Sequence, residues 1–143
     1  MANLNVILVG PPGAGKTSVG KALAARLGWP FVDVDTLIAT RAGKPIPAIF
    51  AEDGEAAFRG YEQEQIALVA ARGGHVIAPG GGALLNPVNR ATLERGGVLL
   101  CLRARPEVLL SRVAGSDRPL LQGDPAARLA ALLAERAPLY DSI

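Results

Sequence analysis

"LNVILVGPPGAGKTSVGKALAARLG", residues 4–28, is the stretch on which the fold turns. Its first six residues, "LNVILV" (4–9), form an apolar run of strand length without the strict alternation of a half-exposed strand. Such a run predicts a central parallel strand covered on both faces. "GPPGAGKT" (10–17) then matches G-x-x-x-x-G-K-[ST] at Gly10, Gly15, Lys16 and Thr17. Glycines let this turn curl so that successive backbone N–H groups face inward and cradle phosphates. From Lys16 to Leu27, the apolar residues Val19, Leu23 and Leu27 recur every four positions. That spacing predicts a helix with this face on the sheet, closed by Gly28. Strand, glycine turn and helix are therefore contiguous, the context that a phosphate loop requires. The candidate nucleotide segment is Gly10, Pro11, Pro12, Gly13, Ala14, Gly15, Lys16, Thr17 and Ser18. Lys16 is placed to reach the β- and γ-phosphates, and the Thr17 hydroxyl to ligate Mg²⁺.

The same alternation continues along the chain. "WPFVDVD" (29–35) predicts a second strand ending in acids, helical segments fill roughly 36–72, and "HVIAP" (75–79) predicts a third strand running into "GGG" (80–82). Asn86 and Pro87 carry the signature of a helix cap and first helical residue. "GGVLLCL" (96–102) predicts a fourth strand, with a helix from about Pro106 to Val113, a loop over 114–123, and a last helix from Asp124 and Pro125. Strands alternating with helices imply a three-layer α/β/α arrangement on a parallel sheet, with the ligand site at the strands' C-terminal ends. One domain is expected over residues 1–143.

Composition narrows the function classes. Half the residues are apolar but only 4% are aromatic, which suits a helix-rich α/β protein better than a β-sandwich. The net charge of +2 is spread without a like-charged run or interleaved aromatics, so no nucleic-acid stripe is implied. The lone Cys101 in "VLLCL" reads as a small core residue in a reducing compartment. No signal-type segment or membrane-spanning apolar run is present, and a cytoplasmic monomer acting on small anions is expected.

Five further features carry chemistry. Asp33 and Asp35, two apart on the expected strand, point the same way; one can hold water on Mg²⁺ and the other accept a hydroxyl proton, unless Asp35 merely caps the next helix. Arg59 and Glu62, three apart on a helix, are within pairing reach and alone read as an ordinary surface ion pair. Gly80, Gly81 and Gly82 at a strand's C-terminal end let a ligand approach the backbone. Arg136 follows Leu129, Leu132 and Leu133 by seven, four and three residues, which puts it on the inward stripe of the last helix and in need of an acid or an anionic ligand. Arg118, in the preceding loop, is either a solvated arginine or a finger over the phosphates. No D-x-x-G or N-K-x-D motif of a GTP switch is present.

"GPPGAGKT", "FVDVD", "IPAIFAEDGEAAFRGYE", "PGGGALL" and "RPLL" occur in the order and spacing of shikimate kinases, so nearly the whole chain resembles that family. The resemblance implies a P-loop NTPase fold of the nucleoside-monophosphate-kinase type, with ATP and Mg²⁺, that phosphorylates the 3-hydroxyl of shikimate. By the same resemblance, Asp35 contacts the reacting hydroxyl and Asp33 lies near Mg²⁺. Arg59 and Arg136 bind the substrate carboxylate, and Glu62 orients Arg59. Gly80, Gly81 and Gly82 offer backbone to the ring, with Phe50 and Phe58 as apolar walls. Arg118 is the lid arginine and Arg112 lies against adenine. Residues of about 36–62 are the substrate helices and about 114–124 the lid. Gluconate kinase, or a non-catalytic module on the same fold, is the alternative. Family members continue into a further strand and terminal helix, whereas this sequence stops at "APLYDSI"; part of the adenine pocket is expected to lie beyond it, with a sheet edge left exposed.

Overall fold

The computed structural model describes residues 4–11, 14–113 and 125–143. Four strands, β1 (Asn5–Val9), β2 (Phe31–Asp33), β3 (Val76–Ala78) and β4 (Gly97–Cys101), pair in parallel in the order β2-β3-β1-β4. Between and after them run α1 (Lys16–Leu27), α2 (Val34–Ala42), α3 (Ile46–Glu52), α4 (Glu55–Ala70), a 3₁₀ turn (Ala83–Leu85), α5 (Pro87–Gly96), α6 (Pro106–Val113) and α7 (Pro125–Asp141). The architecture is the expected α/β fold, with β1 in the interior of the sheet.

Successive strand residues point to opposite faces, and the core divides accordingly. Ile7, Val9 and Ile77 face α2, α4 and α5, where they pack with Ile38, Ile66, Val69 and Leu93. Leu8 and Val76 face the other way, onto Ala24 of α1 with Leu23, Trp29 and Phe31 around them. Both faces of β1 are thus covered, which is why its sequence does not alternate. At β4 the faces differ: Leu99 and Cys101 pack on the core, while Val98 and Leu100 are exposed.

Three expectations need correction. In α1 the buried residues are Gly20 and Ala24, while Val19 and Leu27 are each 42% exposed. The helix lies so close to the sheet that a side chain on Gly20 would run into the Phe31 ring, so small residues make the contact. The second strand is also shorter than 29–35, because the Asp33 carboxylate accepts a 2.9 Å hydrogen bond from the Asp35 amide and caps α2. Asp35 therefore sits in the first helical turn instead of on the strand. The third and fourth strands are shorter than the apolar runs around them, covering Val76–Ala78 and Gly97–Cys101. Elsewhere the helix signals read correctly: Gly28 ends α1 at φ +68°, Asn86 caps α5 through the Val88 amide, and α6 spans Pro106–Val113.

Asn5, the polar residue in the apolar run, is fully buried and knits three segments together. Its Nδ2 donates to the carbonyls of Ala70 and Gly96, both at 3.1 Å, and its Oδ1 accepts from the His75 amide at 3.0 Å. The ends of α4 and α5 and the approach to β3 are thereby fixed against β1. Asn5→Ala strands these partners, and a loss of about 3 kcal/mol is expected as a lower urea midpoint at unchanged slope. A loss below about 1 kcal/mol would show that water replaces the side chain without cost.

Candidate active site

The C-terminal ends of β1, β2 and β3 open into one cleft of about 350 Å³, lined by Gly15–Ser18, Asp33, Asp35 and residues 78–81. This is where a parallel sheet places its ligands. On one side the glycine turn delivers the N-terminus of α1. Gly15 takes the left-handed conformation at φ +92°, and Gly10, at φ +147°, lies so near Leu102 that a side chain would meet the Leu102 carbonyl. A helix N-terminus, whose first amides have no carbonyl one turn earlier in their own helix, is the kind of position at which proteins bind anions. Lys16 lies in the same opening, its Nζ donating to the Gly10 carbonyl at 2.6 Å. Pro11 and Ala14 belong to the turn's closing bond, Ala14 N–H to Pro11 O at 3.2 Å. Pro12, Gly13 and Arg118 lie outside the described residues, as does the Arg112 side chain.

The opposite side is built around the three glycines. None of them has a positive φ; they are bare for lack of room. A Cβ on Gly80 would stand 3.1 Å from both Asp35 Oδ1 and Glu62 Oε2, one on Gly81 2.9 Å from Arg136 Nη1, and one on Gly82 2.8 Å from Arg59 Nη2. Three consecutive backbone positions thus lie under an acid, a guanidinium and a second guanidinium. Arg59 in turn stands 5.2 Å from the centre of the Phe58 ring, and Phe58 packs on Phe50 with ring centres 4.7 Å apart. Asp33, Asp35, Gly80 and Gly81 share the cleft with Thr17 and Lys16, while Gly82, Arg59, Arg136 and the phenylalanines continue beyond its Gly81 end.

Glu62 differs from the surface partner that its spacing suggests, being only 1% exposed. The missed signal lies in its own helix, where Phe58, Glu62, Gln65, Ile66 and Val69 form one buried stripe at helical spacing. Its carboxylate accepts from Arg59 Nη1 at 3.0 Å. Burial nevertheless pushes its pKa above the ordinary 4.5, against the opposing pull of Arg59 and with a smaller push from Asp35. Arg136, 3% exposed, makes no ion pair among the described residues, and its Nε has no hydrogen-bond partner.

A phosphate turn on a parallel sheet, facing an acid and two cations, defines a P-loop phosphotransferase of small molecules. A family model described as shikimate kinase matches residues 12–143. The shikimate kinase of Symbiobacterium thermophilum is 50% identical over 141 residues, covering 96% of this chain and 81% of that protein. The structure of a shikimate kinase from Acinetobacter baumannii in complex with shikimate superposes with a TM-score of 0.93 at 41% identity, covering 98% of this chain and 79% of that one. A gluconokinase from Sinorhizobium meliloti, at 22% identity and a TM-score of 0.54 over 92% of this chain and 73% of its own, shares the fold alone. The chain belongs to the shikimate kinase family and is a kinase that phosphorylates an alcohol group.

The buried Glu62 has a thermodynamic consequence. A carboxyl whose folded-state pKa is raised favours the folded protein while protonated, and that advantage is lost as pH rises from the unfolded value through the folded one. The stability of wild type relative to Glu62→Gln is therefore expected to fall from pH 4.5 upward until the folded-state carboxyl has titrated. Chemical denaturation across pH measures it; a relative stability that rises over this range would mean that Arg59 outweighs burial.

Proposed function

We propose that this protein transfers the γ-phosphoryl group of ATP to the 3-hydroxyl of shikimate, giving shikimate 3-phosphate and ADP. The observation that carries the reading is Arg136, a buried guanidinium without an acid partner among the described residues and with Nη1 over the bare backbone of Gly81. A buried cation requires an anion, and here the substrate carboxylate supplies it. Arg59, held by Glu62, provides the second donor set, and two guanidiniums on one carboxylate fix the orientation of the ring. With the carboxylate at Gly81 and Gly82, the far side of the ring reaches Asp35 beside Gly80. Asp35 then accepts the proton of the hydroxyl that attacks, and Phe50 and Phe58 close the apolar side.

ATP occupies the other half of the cleft. The α1 amides and Lys16 hold its phosphates, with Lys16 exchanging the Gly10 carbonyl for a phosphate oxygen. Thr17 and Asp33 fit Mg²⁺, because both line the cleft and Asp33 keeps an oxygen beyond the one that caps α2. Held by Thr17 and Asp33, Mg²⁺ would supply charge neutralisation at the transferring group. Arg118 is assigned to the phosphates and Arg112 to adenine on sequence grounds. Phosphoryl transfer asks the protein chiefly for in-line positioning and charge stabilisation, and these residues provide both. No helix among the described residues is long and apolar enough to cross a membrane, and a cytoplasmic monomer is the setting we expect.

ADP release measured with shikimate, gluconate and nucleoside monophosphates offered in parallel tests the reading. Turnover with shikimate alone is expected; turnover with gluconate alone, or with none, would contradict it. Within that assay Asp35→Asn keeps the shape of the side chain but not its basicity, so kcat is expected to fall about 10²-fold at nearly constant KM for ATP. A rise confined to the KM for ATP would move Asp35 to the metal site.

A further inference from the structure

Two buried polar atoms of α7 have no hydrogen-bond partner among the described residues: Nε of Arg136 and the hydroxyl of Tyr140. Both side chains are as buried as the core, at 3% and 5% exposure. Four residues apart on one helix, they stand on the same face, one turn above the other. The Arg136 guanidinium interacts with the Tyr140 hydroxyl both as a neighbouring donor and as a charge, while neither that hydroxyl nor Nε of Arg136 makes a hydrogen bond of full geometry among the described residues. Burial outweighs that charge and raises the phenol above its ordinary pKa of 10.0, leaving it neutral with lone pairs to offer. Two unsatisfied buried groups, a donor and an acceptor one turn apart on the same helix face, can satisfy each other at the cost of a small side-chain adjustment.

We propose that Tyr140 is a positioning residue for the substrate carboxylate, its hydroxyl accepting a hydrogen bond from Nε of Arg136 when substrate is bound. The consequence is directional. A guanidinium can present either its Nε side or its two terminal nitrogens to a carboxylate. With Nε committed to Tyr140, the Nη1 and Nη2 edge is left for the ligand, and Nη1 already lies over Gly81. The hydroxyl thus selects which edge of Arg136 meets the acid, while the ring and its neighbour Leu139 anchor the end of α7. This role rests on the reading of the cleft as a shikimate site.

Tyr140→Phe keeps the ring and removes only the acceptor. The Kd and KM for shikimate are expected to rise about tenfold, as for a lost bond to a charged group, with kcat and the KM for ATP within about twofold of wild type. In an Arg136→Lys background, which has no Nε edge to orient, the same change is expected to alter shikimate affinity by less than about twofold. Unchanged shikimate affinity in Tyr140→Phe would overturn the proposal. So would an equal loss in the Arg136→Lys background, or an equal rise in the KM for ATP, since a structural role would produce either. A wild-type protein that turns over ATP with another acceptor but neither binds nor phosphorylates shikimate would instead overturn the parent reading, and this proposal with it.

Discussion

Charged side chains can converge on a small ligand only where the backbone beneath them leaves room. At the end of β3 that room comes from three consecutive glycines, each with the space of its missing side chain taken by a group of the site. Gly80 lies under Asp35 and Glu62, Gly81 under Arg136, and Gly82 under Arg59. The acid comes from the first turn of α2, Arg59 and Glu62 from α4, and Arg136 from α7. Elements far apart in sequence therefore depend on one short turn for their common geometry. The sheet supports that turn in its interior, with β3 paired to β2 on one side and β1 on the other.

The charges above this floor are unequally satisfied, and the inequality divides the work between them. Arg59 is paired with a buried Glu62 and also reaches Glu55 at 3.5 Å, so it is held whether or not a ligand is present. Arg136 is nearly as buried as Glu62 but makes no ion pair among the described residues, and feels that carboxylate only through space. On the proposed reading, one arginine is preorganised and the other supplies the affinity for the substrate's negative charge. On the far side of the cleft, the phosphate turn has its own cation in Lys16, which rests on the Gly10 carbonyl. In the proposed function both substrates are anions, and each half of the cleft would offer a cation to its own.

Local chemistry was legible in the sequence and distance was not. The glycine turn, the Asn86 cap, the Gly28 stop and the bounds of α6 depend on residues within a turn of one another, and each reads directly. The inward face of α1 was misread because hydrophobicity stood in for proximity; a helix pressed close to a sheet uses Gly20 and Ala24 where a looser one uses valine and leucine. The apolar pattern running through Val34 suggests a strand two residues longer than β2, and the side-chain cap at Asp33 outweighs it. At the site, the inward position of Arg136 follows from helical spacing alone, and the structure buries it. The burial of Glu62 was equally available in the stripe of α4, but the short Arg-to-Glu spacing drew the reading to the surface. Tyr140 had no local signal, since its meaning depends on an unpaired atom one turn away.

The central claim is that the glycine floor serves the guanidiniums above it and not the backbone conformation. Gly81 isolates that claim, because its φ is not positive and a Cβ added there would stand 2.9 Å from the far end of the Arg136 side chain and close to no other segment's backbone. Isothermal titration of shikimate into wild type and Gly81→Ala, with thermal melts of both, is the direct measurement. Displacing the guanidinium is expected to weaken shikimate binding by about tenfold or more while the melting temperature moves by no more than about 2 °C. Equal shikimate affinity in the two proteins would contradict the account, as would a melting temperature that collapses along with the affinity.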